Sequence, residues 1–340
     1  MLLNSVLRAQ AQIVCFRFAR GQTRSSSMRL FRNLRRLWRG KTIKRVRARV
    51  VPGKVIHTLS IVSTVRNEAH NLPEWIDFHL AQGVDHLYLF DNESTDATPQ
   101  LLSSYARSGL VTVIPWPHRK GYHTQSRAFA HALRNFGGAN RWMAFIDVDE
   151  FLYCPDGQAL PEFLAGFAHR PALLVNRFTY GTSGFETPPP DVTGHYFWRM
   201  AAPEGPFHMR NLLAPKSIIQ PLHVTAANGG HTFILRDSIY NGYDEADTPI
   251  LRRQAPAFRA ERIRINHYYT KDRQSFMIRV SRGKTVSNMV VPESHWLELL
   301  NEVESKAIVH DDSICRVRPT ARQAAVPVSP HGSAQSSVSD

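Results

Sequence analysis

Between residues 58 and 146 the chain alternates short apolar runs with amphipathic stretches, and few architectures accommodate that order. The β-branched run Thr58-Leu59-Ser60-Ile61-Val62-Ser63-Thr64-Val65 reads as a buried strand. Asn71, with Pro73 and Glu74 close behind, opens a helix that carries Leu72, Trp75, Ile76, His79 and Leu80 and stops at Gly83. His86 to Phe90, Leu110 to Ile114 and Trp142 to Ile146 supply three further strands. Helices through Leu101, Leu102 and Tyr105 and over Gln125 to Phe136 fill the intervals. Such spacing builds βαβ units, so the class is α/β, with a mainly parallel central sheet flanked by helices. Ligands in these sheets sit beyond the carboxyl ends of the strands. The polar clusters Arg66-Asn67-Glu68, Asp91-Asn92 and Asp147-Val148-Asp149-Glu150 all fall on that edge.

After a strand-like segment from Ala172 to Phe178 the alternation weakens. Gly181 to Gly194, with Pro188-Pro189-Pro190, reads as a long functional loop or lid. Strand-like pieces return near 217–219, 232–235 and 263–268, followed by helices containing Phe276 and Val280 and then Trp296, Leu299, Leu300 and Val303. Residues 319–340 are rich in Ser, Pro and Ala and lack aromatics, the composition of a disordered tail. The predicted division is a basic arm over 1–54, a globular domain over 55–318, and that tail.

Asp147-Val148-Asp149 follows the fourth strand, and in extended backbone residues i and i+2 face the same side. Both carboxylates then address one ion, and hard oxygen ligands suit Mg²⁺ or Mn²⁺ bridging a diphosphate. A bare D-x-D is weak, since acids after strands are frequent as caps and solvated turns. A phosphatase-type D-x-D with a nucleophilic first Asp usually follows the first strand of its fold, and this one follows the fourth.

In order and spacing, Val65-Arg66-Asn67-Glu68, Glu74-Trp75-Ile76-Asp77-Phe78-His79, Gly83-Val84-Asp85-His86, Asp91-Asn92-Glu93-Ser94-Thr95-Asp96, Gln125, Trp142, Ile146 through Phe151, Asn266-His267-Tyr268, Lys271, Phe276 and Arg282-Gly283-Lys284 resemble the glycosyltransferase family 2/family 92 group, with its GT-A fold. The resemblance spans roughly residues 58–285. It implies a metal-dependent transferase that uses a nucleotide-sugar donor, perhaps UDP-galactose, with inversion at the anomeric carbon and a glycan or lipid-linked glycan as acceptor. It further implies that Val65, Arg66, Glu68 and Asp91 line the nucleoside pocket. Asp147, Asp149 and His267 would hold the metal, and Lys271, Arg282 and Lys284 would meet the phosphates. Read from the residues alone, His267 fits a core histidine beside Tyr268 and Tyr269 better than a ligand, and Arg282 and Lys284 fit a solvated helix end equally well.

An inverting transfer needs a general base near the acceptor hydroxyl. Glu186, Asp191, Glu204, His231 and Asp237 lie in suitable segments, and His231 is the candidate for the acceptor side. The acidic motif that carries the base in better-known relatives is missing from this sequence.

The net charge of +14 concentrates in one place: residues 1–54 hold 15 Lys and Arg and no acid, and the rest is close to neutral. Leu30, Phe31, Leu34, Leu37 and Trp38 fall at helical spacing opposite Arg29, Arg32, Arg35, Arg36 and Arg39, predicting an amphipathic helix over about 28–46. An anionic membrane surface ranks first as its partner, at about 1 kcal/mol per basic residue. A solvated arm, a helix docked on the body and an organellar presequence stand as alternatives. Nucleic acid is not favoured, because neither a binding fold nor a basic excess on the body accompanies the arm. An arm-driven, non-catalytic membrane-surface or nucleic-acid-binding protein is the competing reading of the whole chain. Three scattered cysteines outside any C-x-x-C spacing point to a reducing compartment. No run reaches the ~20 apolar residues of a membrane span. The location expected is therefore the cytoplasm, peripheral at the inner membrane surface.

Overall fold

The computed structural model describes residues 45–117, 123–282 and 292–319, without the side chain of Arg282. The chain opens with β1 (Val46–Arg47) and β2 (His57–Val65), then α1 (Leu72–Ala81), β3 (His86–Asp91), α2 (Thr98–Arg107), β4 (Val111–Pro115), α3 (Thr124–Phe136) and β5 (Asn140–Phe145). It continues through β6 (Glu150–Tyr153), α4 (Leu160–Ala165), β7 (Ala172–Val175) and β8 (Arg177–Thr179). Shorter pieces follow: β9 (Trp198–Arg199), β10 (Phe207–His208), β11 (Lys216–Ile219), β12 (Val224–Asn228), β13 (Thr232–Leu235), β14 (Gly242–Tyr243), β15 (Pro249–Ile250) and β16 (Gln254–Ala255). The last elements are β17 (Arg264–His267), α5 (Arg273–Arg282), α6 (Glu293–Lys306) and β18 (Val309–His310).

The main sheet runs β15-β14-β7-β11-β5-β2-β3-β4. β4, β3, β2 and β5 are parallel, as crossover helices require, whereas β11 lies antiparallel between β5 and β7. This is the α/β layout, with a mainly parallel sheet flanked by helices, expected from the alternation, and the GT-A-like fold is what the resemblance implies. Apolar side chains cover both faces: Leu59, Ile61, Trp75, Leu87 and Trp142 belong to one buried cluster, and Val62, Phe90, Phe129, Leu133 and Phe145 to another. Helix-covered strands bury both faces, which is why they read as nearly continuous apolar runs.

Three features depart from the sequence reading. The segment from Ala172 to Phe178 is two strands in two sheets: β7 joins the main sheet and β8 pairs in parallel with β17, with Asn176 between them donating to the Arg259 carbonyl at 2.9 Å. β6, unforeseen, pairs antiparallel with β17, giving a small sheet β6-β17-β8. The arm was expected to extend to residue 54, with a helix to about 46, yet Val46–Arg47 is extended and pairs with Ala227 and Ala226 of β12. Ala48 and Val50 are buried there against α3 and β12, so apolar contact overrides the basic composition. The rest of the predicted helix, and the tail beyond residue 319, lie outside the described residues. No helix among the described residues is long and apolar enough to cross a membrane.

Candidate active site

The site forms where β5 ends and the chain turns into β6. Asp147-Val148-Asp149 is a turn, with the Glu150 N–H donating to the Asp147 carbonyl at 3.1 Å, so the extended geometry expected for the two aspartates is not adopted. The turn sends their carboxylates to different partners. Asp147 accepts from Gln125 Nε2 and from Lys216 Nζ, each at 2.6 Å. Asp149 faces His267 Nε2 at 3.6 Å and accepts from Arg279 Nη1 at 3.1 Å.

Glu150, assigned no role from the sequence, is fully buried and completes a carboxylate–imidazole group with Asp149 and His267, whose ligand atoms lie within 4.8 Å of one another. Arg177 Nη1 and Lys216 Nζ both pair with Glu150, which also accepts the Asp147 N–H at 2.9 Å. A carboxylate so fully occupied clamps the turn, leaving Asp149 and His267 as the side chains freest to take a cation. The 3.6 Å between their facing atoms exceeds a good hydrogen bond but suits two ligands of one ion. An imidazole nitrogen with a carboxylate oxygen fits Mn²⁺ better than Mg²⁺. Asp147 stands beside this pair, held by Lys216, rather than inside the group.

Burial opposes ionisation of all three acids. For Asp149 the charges of His267, Arg279 and Lys271 outweigh it and hold the carboxyl well below the usual range. Glu150 is likewise lowered, by Lys216, Arg177 and His267. In Asp147 burial prevails, and its carboxyl is raised despite Lys216. Four carboxylates, Glu68 included, stand among four basic side chains: Lys216, Arg177, Arg279 and Lys271.

Helix α1 explains the spacing of Trp75 and His79 in physical terms. One turn apart, they share a helix face, and both address β6: Trp75 Nε1 donates to the Glu150 carbonyl at 2.8 Å, and His79 Nε2 accepts the Leu152 N–H at 3.1 Å. β6 is an edge strand, so these side chains supply the partners that a neighbouring strand would otherwise give. Glu74, on the same helix, holds the Gly/Pro-rich loop by accepting from Val192 N, Thr193 N and Thr193 Oγ1 at 2.7–2.8 Å.

The expected nucleoside residues gather at the ends of β2 and β3. Val65 is buried and pairs in register with Asp91; Arg66 is exposed. Asp91 Oδ1 accepts from Ser94 Oγ at 2.6 Å, and Asn67 and Thr95 tie the two loops together at 2.7 Å. Glu68 reaches across the site to Lys271 Nζ at 3.4 Å. Lys284 and the side chain of Arg282 lie outside the described residues. Arg279, one turn before Arg282 on α5, is the cation brought to Asp149, and it also stacks over Tyr269, 4.6 Å from the ring centroid. His231 is half-buried beyond Lys216, with Nδ1 3.1 Å from the Pro215 carbonyl oxygen. Burial and the nearby cations Lys216, Arg177 and Arg253 all push its pKa well below the usual value, so it is neutral at pH 7.

Sequence reasoning missed Glu150, Arg177, Lys216 and Arg279. Lys216 left one signal, a lysine opening the apolar strand Lys216-Ser217-Ile218-Ile219.

Fold and site together define an α/β protein of the GT-A-like kind, with a charged, cation-ready centre at the carboxyl edge of its parallel strands. A Glycosyltransferase family 92 model matches residues 54–306, and the chain belongs to that family. Family 92 proteins of Oryza sativa subsp. japonica and Ricinus communis are 32% identical over 190 residues and 31% identical over 207 residues. These matches cover 54% and 58% of this chain but only 30% and 35% of the relatives, so the likeness spans about a third of their length. Among solved structures, S. aureus TarS 1–349 is similar over 72% of this chain and 70% of that one, at 15% identity and a TM-score of 0.33. A mannosyltransferase from Pyrobaculum calidifontis, in complex with GDP-Man and Mn²⁺, is similar over 43% of this chain and 42% of that one, at 18% identity and a TM-score of 0.28.

Proposed function

We propose that the protein is a metal-dependent glycosyltransferase that moves a sugar from a nucleotide diphosphate donor to a glycan or lipid-linked glycan, with inversion. UDP-sugars are the first donors to test, UDP-galactose ahead of the others. The observation that carries the reading is the facing pair Asp149 and His267, backed by Glu150 and flanked by Lys271 and Arg279, in a family 92 chain. Asp149 and His267 would hold Mn²⁺ or Mg²⁺, with Asp147 beside them. A divalent cation bound there stabilises negative charge developing on the departing diphosphate. Lys271 and Arg279 offer further donors to the phosphates, joined in this proposal by Arg282 and Lys284. Val65, Arg66, Glu68 and Asp91 receive the nucleoside. His231, neutral and beyond Lys216, is the acceptor-side residue proposed to take the hydroxyl proton.

The basic arm would hold the enzyme against an anionic membrane at its cytoplasmic face. The deciding experiment is titration of the full chain with UDP-sugars, with and without Mn²⁺, by calorimetry and by release of UDP. Metal-dependent binding and turnover of one donor is expected. A chain that binds none of them, or an Asp149→Ala variant as active as the parent, would falsify the reading.

A further inference from the structure

The cations of the centre have protein counter-ions: Lys216 has Asp147 and Glu150, Arg177 has Glu150, Arg279 has Asp149, and Lys271 has Glu68. Two arginines on the far side of Lys216 do not. Arg253 is half-buried; its Nη2 donates to Thr232 Oγ1 at 3.0 Å, and its backbone carbonyl accepts the Met209 N–H at 2.9 Å. That backbone contact brings it beside Arg210, which is exposed. Among the described residues neither arginine forms an ion pair, and each charge acts on the other repulsively. Arg252 and Arg253 are both left-handed, with φ of 51° and 60°, as the two central residues of the tight turn that the Gln254 N–H closes on the Leu251 carbonyl at 3.0 Å.

Their position follows from short links. Thr232 adjoins His231, whose Nδ1 meets the Pro215 carbonyl; Pro215 precedes Lys216, which holds Asp147 at 2.6 Å. The charge of Arg253 reaches His231 together with those of Lys216 and Arg177. Lys271 and Arg279 address Asp149 and Glu68 instead, on the β17–α5 side. The paired cations Lys216 and Arg177 therefore stand between the Lys271–Arg279 side and His231, and the unpaired arginines lie beyond them, next to His231. A half-buried guanidinium without a counter-ion, with a second guanidinium beside it, favours an anion brought by a ligand, and the planar fork matches carboxylate and phosphate oxygens.

We propose that Arg253 and Arg210 bind negative charge on the acceptor, so that the sugar chain receiving the transferred residue carries a carboxylate or a phosphate ester near its reactive hydroxyl. The inference rests on the transferase reading and names the substrate class of that same site. No group is transferred at these arginines; they hold and orient the acceptor next to His231.

The test measures glycan binding by calorimetry on the full chain at fixed salt. Three oligosaccharides of equal length serve as probes: one bearing glucuronate, one bearing a sugar phosphate, and one neutral. Both acidic probes, or one of them, should bind at least tenfold more tightly than the neutral probe, and the preference identifies carboxylate or phosphate as the source of charge. Arg253→Met and Arg210→Gln should each remove most of that difference while leaving neutral-probe binding and UDP–Mn²⁺ affinity within about twofold. Arg253→Lys should retain part of it if the larger change disturbs folding, and the exposed Arg210 provides a variant free of that risk. Equal binding of all three probes by the parent chain overturns the proposal. So does a parallel loss of UDP affinity in the variants, which would place the arginines on the donor side. Failure of the parent to bind any UDP-sugar instead overturns the transferase reading, and the glycan measurements separate the two failures.

Discussion

Asp149 and His267 face each other at 3.6 Å without a mutual hydrogen bond, and this gap invites the sharpest residue-scale prediction. Asp149→Asn and His267→Gln should each weaken Mn²⁺-dependent nucleotide binding by tenfold or more, read by calorimetry, while the thermal midpoint moves by only a few degrees. Charge balance adds a second expectation. Because four basic side chains already face four carboxylates, a divalent ion alone leaves the centre positive, and the negative charge of a diphosphate offsets it. Mn²⁺ affinity should therefore rise at least fivefold when UDP is present, and by linkage UDP affinity should rise by the same factor with Mn²⁺. Gly230 supplies a third case, since a Cβ there would collide with Gln125 Oε1, and Gln125 donates to Asp147. Gly230→Val should turn Gln125 away and lower turnover by about tenfold, in line with the sensitivity of catalysis to small displacements. A circular dichroism spectrum matching the parent's should accompany that loss.

At the scale of elements, α1 and β6 act as a unit, with Trp75 and His79 completing the outer edge of the strand that begins with Glu150. His79 is wholly buried and accepts a backbone N–H, so burial lowers its pKa from 6.5 to about 3. Above pH 6.5 the imidazole is neutral folded or unfolded and costs nothing; between 6.5 and about 3 the unfolded chain binds a proton that the folded chain refuses. Its contribution to stability is thus intact above pH 6.5 and is lost progressively as pH falls toward 3, at up to about 1.4 kcal/mol per pH unit. Urea unfolding at several pH values should show this slope, and His79→Gln should flatten it. Trp75→Phe should cost about 1–3 kcal/mol by leaving the Glu150 carbonyl without its donor. Helix α1 was readable from its periodicity, Pro73 and Gly83. The four-residue β6 was not, because its partner β17 lies more than a hundred residues further on.

For the whole molecule, the segment from Val46 to Val50 joins the body through β12 and α3, so the fold starts before the family match at residue 54. Deleting residues 1–44 should leave the thermal midpoint and UDP–Mn²⁺ affinity close to the parent's. The same deletion should abolish flotation with anionic vesicles; equal flotation of both proteins would remove the arm from the membrane proposal. How far the molecule was legible in its sequence follows the range of the forces involved. Local periodicity and helix-stop residues determined the parallel strands, their helices and the edge where the polar clusters gather, since each signal acts within about a dozen residues. The same local rules placed Asp147 and Asp149 as candidates, whereas His267 followed only from the family resemblance. Only the tertiary structure decided that the aspartates occupy a turn, that Glu150 is clamped between Arg177 and Lys216, and that Arg279 reaches Asp149. Those contacts join segments up to 130 residues apart. Ion pairing in a buried centre depends on distances in space, which the order of residues along the chain does not contain.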